Sequence, residues 1–282
     1  MELKRSFKGF NDLELVADEF GDPNTASRFV LFAHGGGQTR HAWQSSARLL
    51  ADKGMHALSL DLRGHGESAW AADADYSMEA FAHDLIAVAA KLPKPPVLVG
   101  ASLGGISGMI AAGELGKNAF EALVLVDITP KMDERGVEKV VSFMGQDLEH
   151  GFESLEAAAQ SIATYLPHRK PSKNLDGLKK NLRLGEDGRY RWHWDPKFMT
   201  GTSRPSASKD PDRLSQAVQA AQIPLLLIRG KMSELVTEEA VEDFLKIVPH
   251  AKYTDVSGAG HMVAGDNNEV FTQALIEFLN ET

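Results

Sequence analysis

The chain alternates short, wholly apolar runs with stretches in which apolar residues recur every three or four positions. The first pattern is typical of strands that are buried on both faces, and the second is typical of amphipathic helices. The apolar runs lie at residues 29–33, 56–60, 97–99, 122–126 and 224–228, after a hairpin at 6–20 and before a last strand at 251–256. This pattern predicts an α/β fold with a mostly parallel central sheet covered by helices on both faces.

The alternation stops at Lys131 and resumes only at Pro224. Between them the periodic stretches are polar and predict helices at 136–148, 154–165 and 172–183, followed by a polar, loop-like run at 203–212. We therefore predict one sheet domain, formed by residues 1–130 and 218–282. A largely helical insertion, residues 131–217, interrupts it.

The third of these apolar runs leads directly into Gly100-Ala101-Ser102-Leu103-Gly104, and a helical period follows. A serine on a sharp turn between a strand and a helix needs neighbours without a Cβ atom, and glycine meets that need. Because the motif alone arises by chance in a glycine-rich chain, the strand–turn–helix context carries the argument. Ser102 is the candidate nucleophile.

Composition excludes several other classes of protein. The 282 residues carry a formal net charge of −9, which argues against a nucleic-acid-binding surface. With no cysteine, the chain has no disulfide, thiolate metal site or cysteine nucleophile. It lacks an apolar N-terminal signal, an apolar run of membrane-spanning length, a His-Glu-x-x-His motif and a nucleotide-binding glycine motif. We expect a cytoplasmic protein that uses no cofactor or metal and acts on a small molecule.

Four motifs, in this order, give the chain its resemblance to the α/β-hydrolase family. They are His34-Gly35-Gly36-Gly37, the loop 61–68, the Gly100–Gly104 turn and Gly258-Ala259-Gly260-His261. The resemblance covers nearly all of the predicted sheet domain. It implies that the insertion, which follows the sixth strand, is the helical cap of a lidded serine esterase.

The same resemblance implies a role for each motif. His261 takes the place of the general base, and the backbone N–H groups of Gly36 and Leu103 take the place of the oxyanion hole. His34 and His65 are expected to brace their loops. Trp192 and Trp194, within the insertion, are candidates for the wall of a substrate pocket, and packing between insertion helices is the other interpretation.

The acid that orients His261 has two candidates. The family commonly places an aspartate in the loop after the strand at 224–228, but this loop contains none, and Glu234 is its first carboxylate. Asp127, which directly follows the strand at 122–126, is at a position that some members of the family use. We favour Glu234 as the acid and expect Asp127 to have a structural role.

These expectations describe a serine hydrolase that cleaves the carboxylic ester of a small, partly apolar substrate through an acyl-serine intermediate. Cleavage of a carbon–carbon bond, hydrolysis of a thioester and perhydrolysis would use the same residues. A ligand-binding module that kept the fold with marginal catalysis is the alternative from another class. The sequence does not indicate an oligomeric state.

Overall fold

A central eight-stranded sheet organises the protein. The structure is a computed structural model and describes residues 2–166, 175–201 and 210–282. The strands of the sheet are β1 (Glu2–Lys8), β2 (Glu14–Phe20), β3 (Phe29–Ala33), β4 (His56–Leu60), β5 (Val97–Ala101), β6 (Ala122–Val126), β9 (Leu225–Gly230) and β10 (Lys252–Val256). Their spatial order is β1-β2-β4-β3-β5-β6-β9-β10, and all neighbours are parallel except β1–β2 and β2–β4.

Two apolar cores lie on opposite faces of this sheet. Side chains alternate between the faces of a strand, so in β3 Leu31 and Ala33 enter one core while Val30 and Phe32 enter the other. All five residues of β3 are buried, which explains why the sequence shows an unbroken apolar run there. The predicted mostly parallel sheet is therefore confirmed.

Helices cover both faces. Those outside the insertion are α1 (Gln44–Asp52), α2 (Met78–Ala89), α3 (Leu103–Ile110), α8 (Glu238–Ile247), α9 (Val263–Asp266) and α10 (Asn268–Glu281). The start of α2 shows how the sequence sets a boundary, because the Ser77 side chain accepts a hydrogen bond from the N–H of Ala80.

The segment between β6 and β9 contains the predicted insertion. Its described elements are α4 (Glu134–Gly145), α5 (Leu155–Tyr165), a 3₁₀ turn (Leu178–Asn181), β7 (Leu182–Leu184), β8 (Tyr190–Trp192), α6 (Lys197–Thr200) and α7 (Pro211–Ala220). The helices predicted at 136–148 and 154–165 correspond to α4 and α5.

The helix predicted at 172–183 is wrong in its described part, and residues 172–174 lie outside the described residues. Leu182 pairs with Trp192 in an antiparallel hairpin closed by a turn in which Gly188 has φ +75°. Strand pairing and the burial of both side chains stabilise the hairpin more than the local helical pattern would stabilise a helix. Of the loop predicted at 203–212, residues 203–209 lie outside the described residues, and Pro211 and Asp212 begin α7.

Helix α7 crosses the boundary predicted between residues 217 and 218. It packs against the sheet domain, where a Cβ atom at Gly113 would overlap the Ala217 carbonyl oxygen. No helix among residues 2–166, 175–201 and 210–282 is long and apolar enough to span a membrane.

Candidate active site

The carboxyl ends of the parallel strands bring the candidate residues to one edge of the sheet. Gly36 lies in the loop after β3, Ser102 follows β5, Asp127 follows β6, and His261 lies in the loop after β10. In open α/β sheets this edge is where ligands bind, because the loops converge there while the strands beneath hold their ends rigidly.

Ser102 lies on a strained turn between β5 and α3. Its backbone has φ +43° and ψ −111°, a conformation that costs free energy for a residue with a side chain. The turn closes only because glycines flank it: a Cβ atom at Gly100 would overlap the backbone of Gly104, and one at Gly104 would overlap the carbonyl of Ala33. The Ser102 side chain makes no capping hydrogen bond to α3.

Asp127 and His261 form a hydrogen-bonded pair. Asp127 is fully buried, and its Oδ2 lies 2.7 Å from His261 Nδ1. Two other donors hold the carboxylate: Ser233 Oγ donates to Oδ2 at 2.6 Å, and the Gly230 N–H donates to Oδ1 at 3.0 Å. With its proton on Nδ1, the imidazole keeps an unprotonated Nε2 that can accept a proton.

The expectation that Glu234 orients His261 is corrected by this geometry. The Glu234 side chain is 65% exposed and forms an ion pair with Lys139 of α4 at 2.5 Å. The loop after β9 directs its serine, Ser233, toward Asp127 and its glutamate toward Lys139 of α4. The carboxylate beside His261 is therefore that of Asp127, the alternative candidate, which the sequence analysis did not favour.

The two proposed oxyanion-hole donors are unoccupied by protein acceptors. Neither the Gly36 N–H nor the Leu103 N–H has a hydrogen-bond partner among the described residues. Leu103 is the first residue of α3, where the helix leaves its N–H groups free and its dipole favours negative charge.

Ser102, His261, Gly36 and Leu103 all line one cavity of about 570 Å³. Its remaining wall is mostly apolar and comes largely from α4, α5 and the β8 region. Trp192 and Trp194 belong to that wall. They also stack on each other, with ring centroids 4.9 Å apart.

His34 and His65 brace their loops, as expected. His34 bonds the Gly35 carbonyl through Nδ1 and accepts the Leu62 N–H through Nε2. His65 accepts the Gly37 N–H through Nε2. Both rings are fully buried, and burial lowers the pKa of His34 to about 4 and the pKa of His65 to about 3, so both are neutral.

Sequence reasoning assigned no role to Ser233 or His193, which both contact this site. Ser233 directly precedes Glu234 in the sequence. The conformation of the loop decides which of the two side chains reaches Asp127. His193 stands between the two tryptophans of the insertion, and its contacts depend on a hairpin that the helical pattern did not predict. Among the described residues, no group of three or more His, Asp or Glu side chains has an arrangement that could hold a metal ion.

Comparisons with known proteins agree with the fold. A family model described as the alpha/beta hydrolase fold matches residues 28–267. An esterase of Mycobacterium tuberculosis, Rv0045c, is 32% identical over 89% of this chain and 80% of its own length. A 3-hydroxybutyrate-oligomer hydrolase of Cupriavidus necator is 28% identical over 86% of this chain and 85% of its own length.

A solved structure gives the same result in three dimensions. The crystal structure of the M. tuberculosis esterase Rv0045c superposes with a TM-score of 0.77 and 26% identity. The superposition covers 99% of this chain and 92% of the esterase. The likeness therefore includes the insertion as well as the sheet.

Proposed function

This chain belongs to the α/β-hydrolase family and is an enzyme of the hydrolase class, and on that premise we propose that it hydrolyses carboxylic esters of small, partly apolar substrates. One observation carries the proposal: a strained, glycine-flanked serine shares a cavity with a histidine whose Nδ1 is held by a buried carboxylate. Ser102, His261 and Asp127 are the proposed catalytic triad. The names of the two relatives, an esterase and an oligomer hydrolase, support an ester as the substrate.

In the first half-reaction, Ser102 Oγ attacks the acyl carbon while His261 Nε2 takes the hydroxyl proton. The negative charge that develops on the acyl oxygen is stabilised by the N–H groups of Gly36 and Leu103, which are fixed before the charge appears. His261 then donates its proton to the alcohol oxygen as the ester bond breaks. The alcohol leaves, and the acyl group stays on Ser102.

In the second half-reaction, His261 Nε2 takes a proton from a water molecule, whose oxygen attacks the acyl carbon. His261 then returns this proton to Ser102 Oγ as the bond between that oxygen and the acyl carbon breaks, which releases the carboxylic acid and restores the free serine. Asp127 holds the imidazole in one tautomer and stabilises the imidazolium during both steps. We propose residues 131–217 as the cap over this site, because α4, α5 and the tryptophans provide the apolar wall that selects the substrate. A cytoplasmic location remains a prediction from the sequence.

The test combines covalent labelling with hydrolysis. An organophosphonate should add one group to the wild type and none to Ser102→Ala, since it reacts with an activated serine. Ser102→Ala should also lose at least ~10³ in kcat toward a short-chain nitrophenyl ester, because the triad acts as a unit. Ser257→Ala, an exposed serine outside the cavity, is the matched control and should behave as the wild type.

A substrate panel with one acyl group tests the type of bond. The ester should react faster than the matching thioester or 1,3-diketone, and with a burst of nitrophenol. Faster cleavage of the thioester or diketone would overturn the assignment to esters. Equal labelling of Ser102→Ala and the wild type would remove Ser102 as the nucleophile, and stoichiometric binding without turnover would indicate a ligand-binding module.

A further inference from the structure

Two histidines of the sheet domain hold the peptide groups on either side of Gly36. His34 Nδ1 donates to the Gly35 carbonyl oxygen at 2.8 Å, and this carbonyl belongs to the peptide group whose N–H is that of Gly36. His65 Nε2 accepts the N–H of Gly37, the next peptide group, at 3.1 Å. The direction of the proposed oxyanion donor is thus set by hydrogen bonds on its own peptide group and on the next one.

A third histidine holds the following peptide group, and it comes from the insertion. His193 is 2% exposed and lies between two loops of the sheet domain. Its Nδ1 accepts the Gly66 N–H at 2.7 Å, and its Nε2 lies 3.2 Å from the Gly37 carbonyl oxygen. Gly37 is therefore bonded at its N–H by the sheet domain and at its carbonyl by the insertion.

These partners fix the tautomer of His193. An N–H group can only donate and a carbonyl can only accept, so Nδ1 is unprotonated and Nε2 carries the proton. Burial lowers the pKa of His193 well below its usual value, and the neighbouring His65 and His34 lower it further. The ring is neutral, as both of its hydrogen bonds require.

The position of His193 is set by hydrogen bonds between the insertion and the loop 64–66. Arg183 donates to the Gly66 carbonyl at 2.6 Å, and the Asp195 N–H donates to the Gly64 carbonyl at 2.9 Å. The Asp195 side chain in turn accepts the hydroxyl of Tyr76 at 2.6 Å. The imidazole reaches Gly37 only when these contacts have placed β8 and its following residues on the sheet domain.

We propose that His193 is a positioning residue for the oxyanion hole. Through it, the orientation of the Gly36 N–H depends on how the insertion packs on the sheet domain. The proposal rests on the proposed esterase function. By holding the Gly37 carbonyl, His193 limits rotation of the loop that carries the Gly36 N–H. The Gly36 N–H stabilises the transition state most strongly when it already points toward the position of the developing oxyanion.

Two substitutions separate the two hydrogen bonds of His193. In His193→Asn the side-chain oxygen can still accept from Gly66, but no group reaches Gly37. In His193→Gln the longer amide can donate to the Gly37 carbonyl and loses the bond to Gly66. We expect His193→Asn to lower kcat by about tenfold with little change in KM, less than the 10² to 10³ typical of removing an oxyanion donor. His193→Gln should keep most of the wild-type kcat.

The amount of folded enzyme is measured by titration with the phosphonate, so that kcat refers to competent sites even if a variant is destabilised. A boronic acid that mimics the tetrahedral intermediate should bind His193→Asn more weakly, while a product carboxylate binds it as well as it binds the wild type. Wild-type kcat in His193→Asn, or an equal loss in both variants, would overturn the proposal. Failure of the esterase function itself would show separately, as an active Ser102→Ala.

An independent observation concerns the charge of the cavity. The chain has 39 Asp and Glu residues against 30 Lys and Arg residues, yet none of the carboxylates lines the cavity. Every Asp and Glu of the chain lies among the described residues. Lys180 is the one Lys or Arg among the described residues that line the cavity. In an acidic protein, this wall is a local region that favours anions.

Lys180 has no ion pair among the described residues, which sets it apart from its neighbour. Lys179 is paired with Asp176 at 2.9 Å and does not line the cavity. Lys180 lies in the 3₁₀ turn beside Asn181, whose side-chain oxygen is 3.5 Å from the Thr39 hydroxyl. Asn181 and Thr39 also line the cavity, so it has hydrogen-bonding groups as well as the charge of Lys180 in its wall.

We infer that the substrate carries an anionic group, such as a carboxylate, which Lys180 binds while the apolar wall of the cavity contacts the rest of the substrate. The inference rests on the proposed function and narrows its substrate class to esters of acidic molecules. Because Lys180 is exposed, we expect its ammonium to give a carboxylate-bearing substrate a preference of only several-fold.

The test compares half-esters of dicarboxylic acids, mono(4-nitrophenyl) succinate through adipate, with neutral nitrophenyl esters of equal chain length. The wild type should show a higher kcat/KM for at least one acidic ester, and added salt should reduce this preference. Lys180→Gln should abolish the preference, whereas Lys179→Gln, the matched control, should keep it. A higher kcat/KM for the neutral esters would overturn the inference, and so would a preference for the acidic esters that Lys180→Gln retains. If neither series is hydrolysed, the result contradicts the esterase function instead.

Discussion

Asp127 and Glu234 show how differently two carboxylates can be placed by the same fold. Asp127 is fully buried, with φ +50°, and three donors surround it. Glu234 forms an exposed ion pair with Lys139, an interaction that typically contributes less than about 1 kcal/mol. Only the first carboxylate can fix the tautomer and orientation of His261.

We predict that Asp127→Asn loses on the order of 10⁴ in kcat, the loss typical of removing the acid from a serine triad. The amide leaves the wrong tautomer of His261 available and supplies no counter-charge for the imidazolium. The kcat of Glu234→Gln should stay within about twofold of the wild-type kcat, because the exposed Glu234 side chain does not contact the proposed triad. Steady-state kinetics checks both variants, and circular dichroism confirms that they fold. An inactive Glu234→Gln beside an active Asp127→Asn would contradict the assignment.

At the scale of single residues, local motifs led to the candidates Ser102 and His261, and the fold brings both to one cavity. The glycines around Ser102 and the Gly-rich approach to His261 are adjacent in sequence, so the pattern could be seen directly. The acid was misassigned because its contact with His261 joins residues 134 positions apart. The direction of the loop after β9, which turns Ser233 inward and Glu234 outward, follows from tertiary contacts that no sequence pattern displays.

At the scale of elements, prediction succeeded where burial on both faces left an unbroken apolar run. Strands β3, β4 and β6 lie at the predicted residues because every one of their positions is buried. It failed at the short hairpin β7–β8, whose three-residue strands carry exposed residues such as Leu184 beside buried ones such as Trp192. Such strands are stabilised by their contacts with the sheet domain, and their own sequence carries little signal.

At the scale of the whole molecule, three neutral histidines lie next to one another where the insertion meets the sheet domain, and His193 hydrogen-bonds across this junction. His34 and His65 belong to the former and His193 to the latter, with the His65 ring 5.2 Å from His34 and 5.8 Å from His193 between centroids. Each ring must accept a backbone N–H, so protonation of any of them breaks a hydrogen bond. The junction between the two parts therefore depends on pH.

The direction of this dependence follows from the lowered pKa values. Folding lowers the pKa of His34 from 6.5 to about 4 and the pKa of His65 to about 3, and it lowers that of His193 as well. Below pH 6.5 the unfolded chain binds protons that the folded protein does not bind. The stability that these histidines contribute is complete above pH 6.5 and is lost as the pH falls toward 4, at about 1.4 kcal/mol per pH unit for each extra proton.

We therefore predict that the free energy of unfolding falls between pH 7 and pH 5 less steeply in His193→Gln than in the wild type. The variant lacks one of the three imidazoles, so well below pH 6.5 unfolding takes up one proton fewer. The difference between the two slopes therefore grows as the pH falls and approaches about 1.4 kcal/mol per pH unit near pH 5. Urea unfolding at a series of pH values measures both slopes. The matched control is His150→Gln, which removes an exposed imidazole and should give the wild-type slope. Identical slopes for His193→Gln and the wild type would mean that His193 takes up its proton equally in both states, which the two hydrogen bonds in the folded protein do not permit.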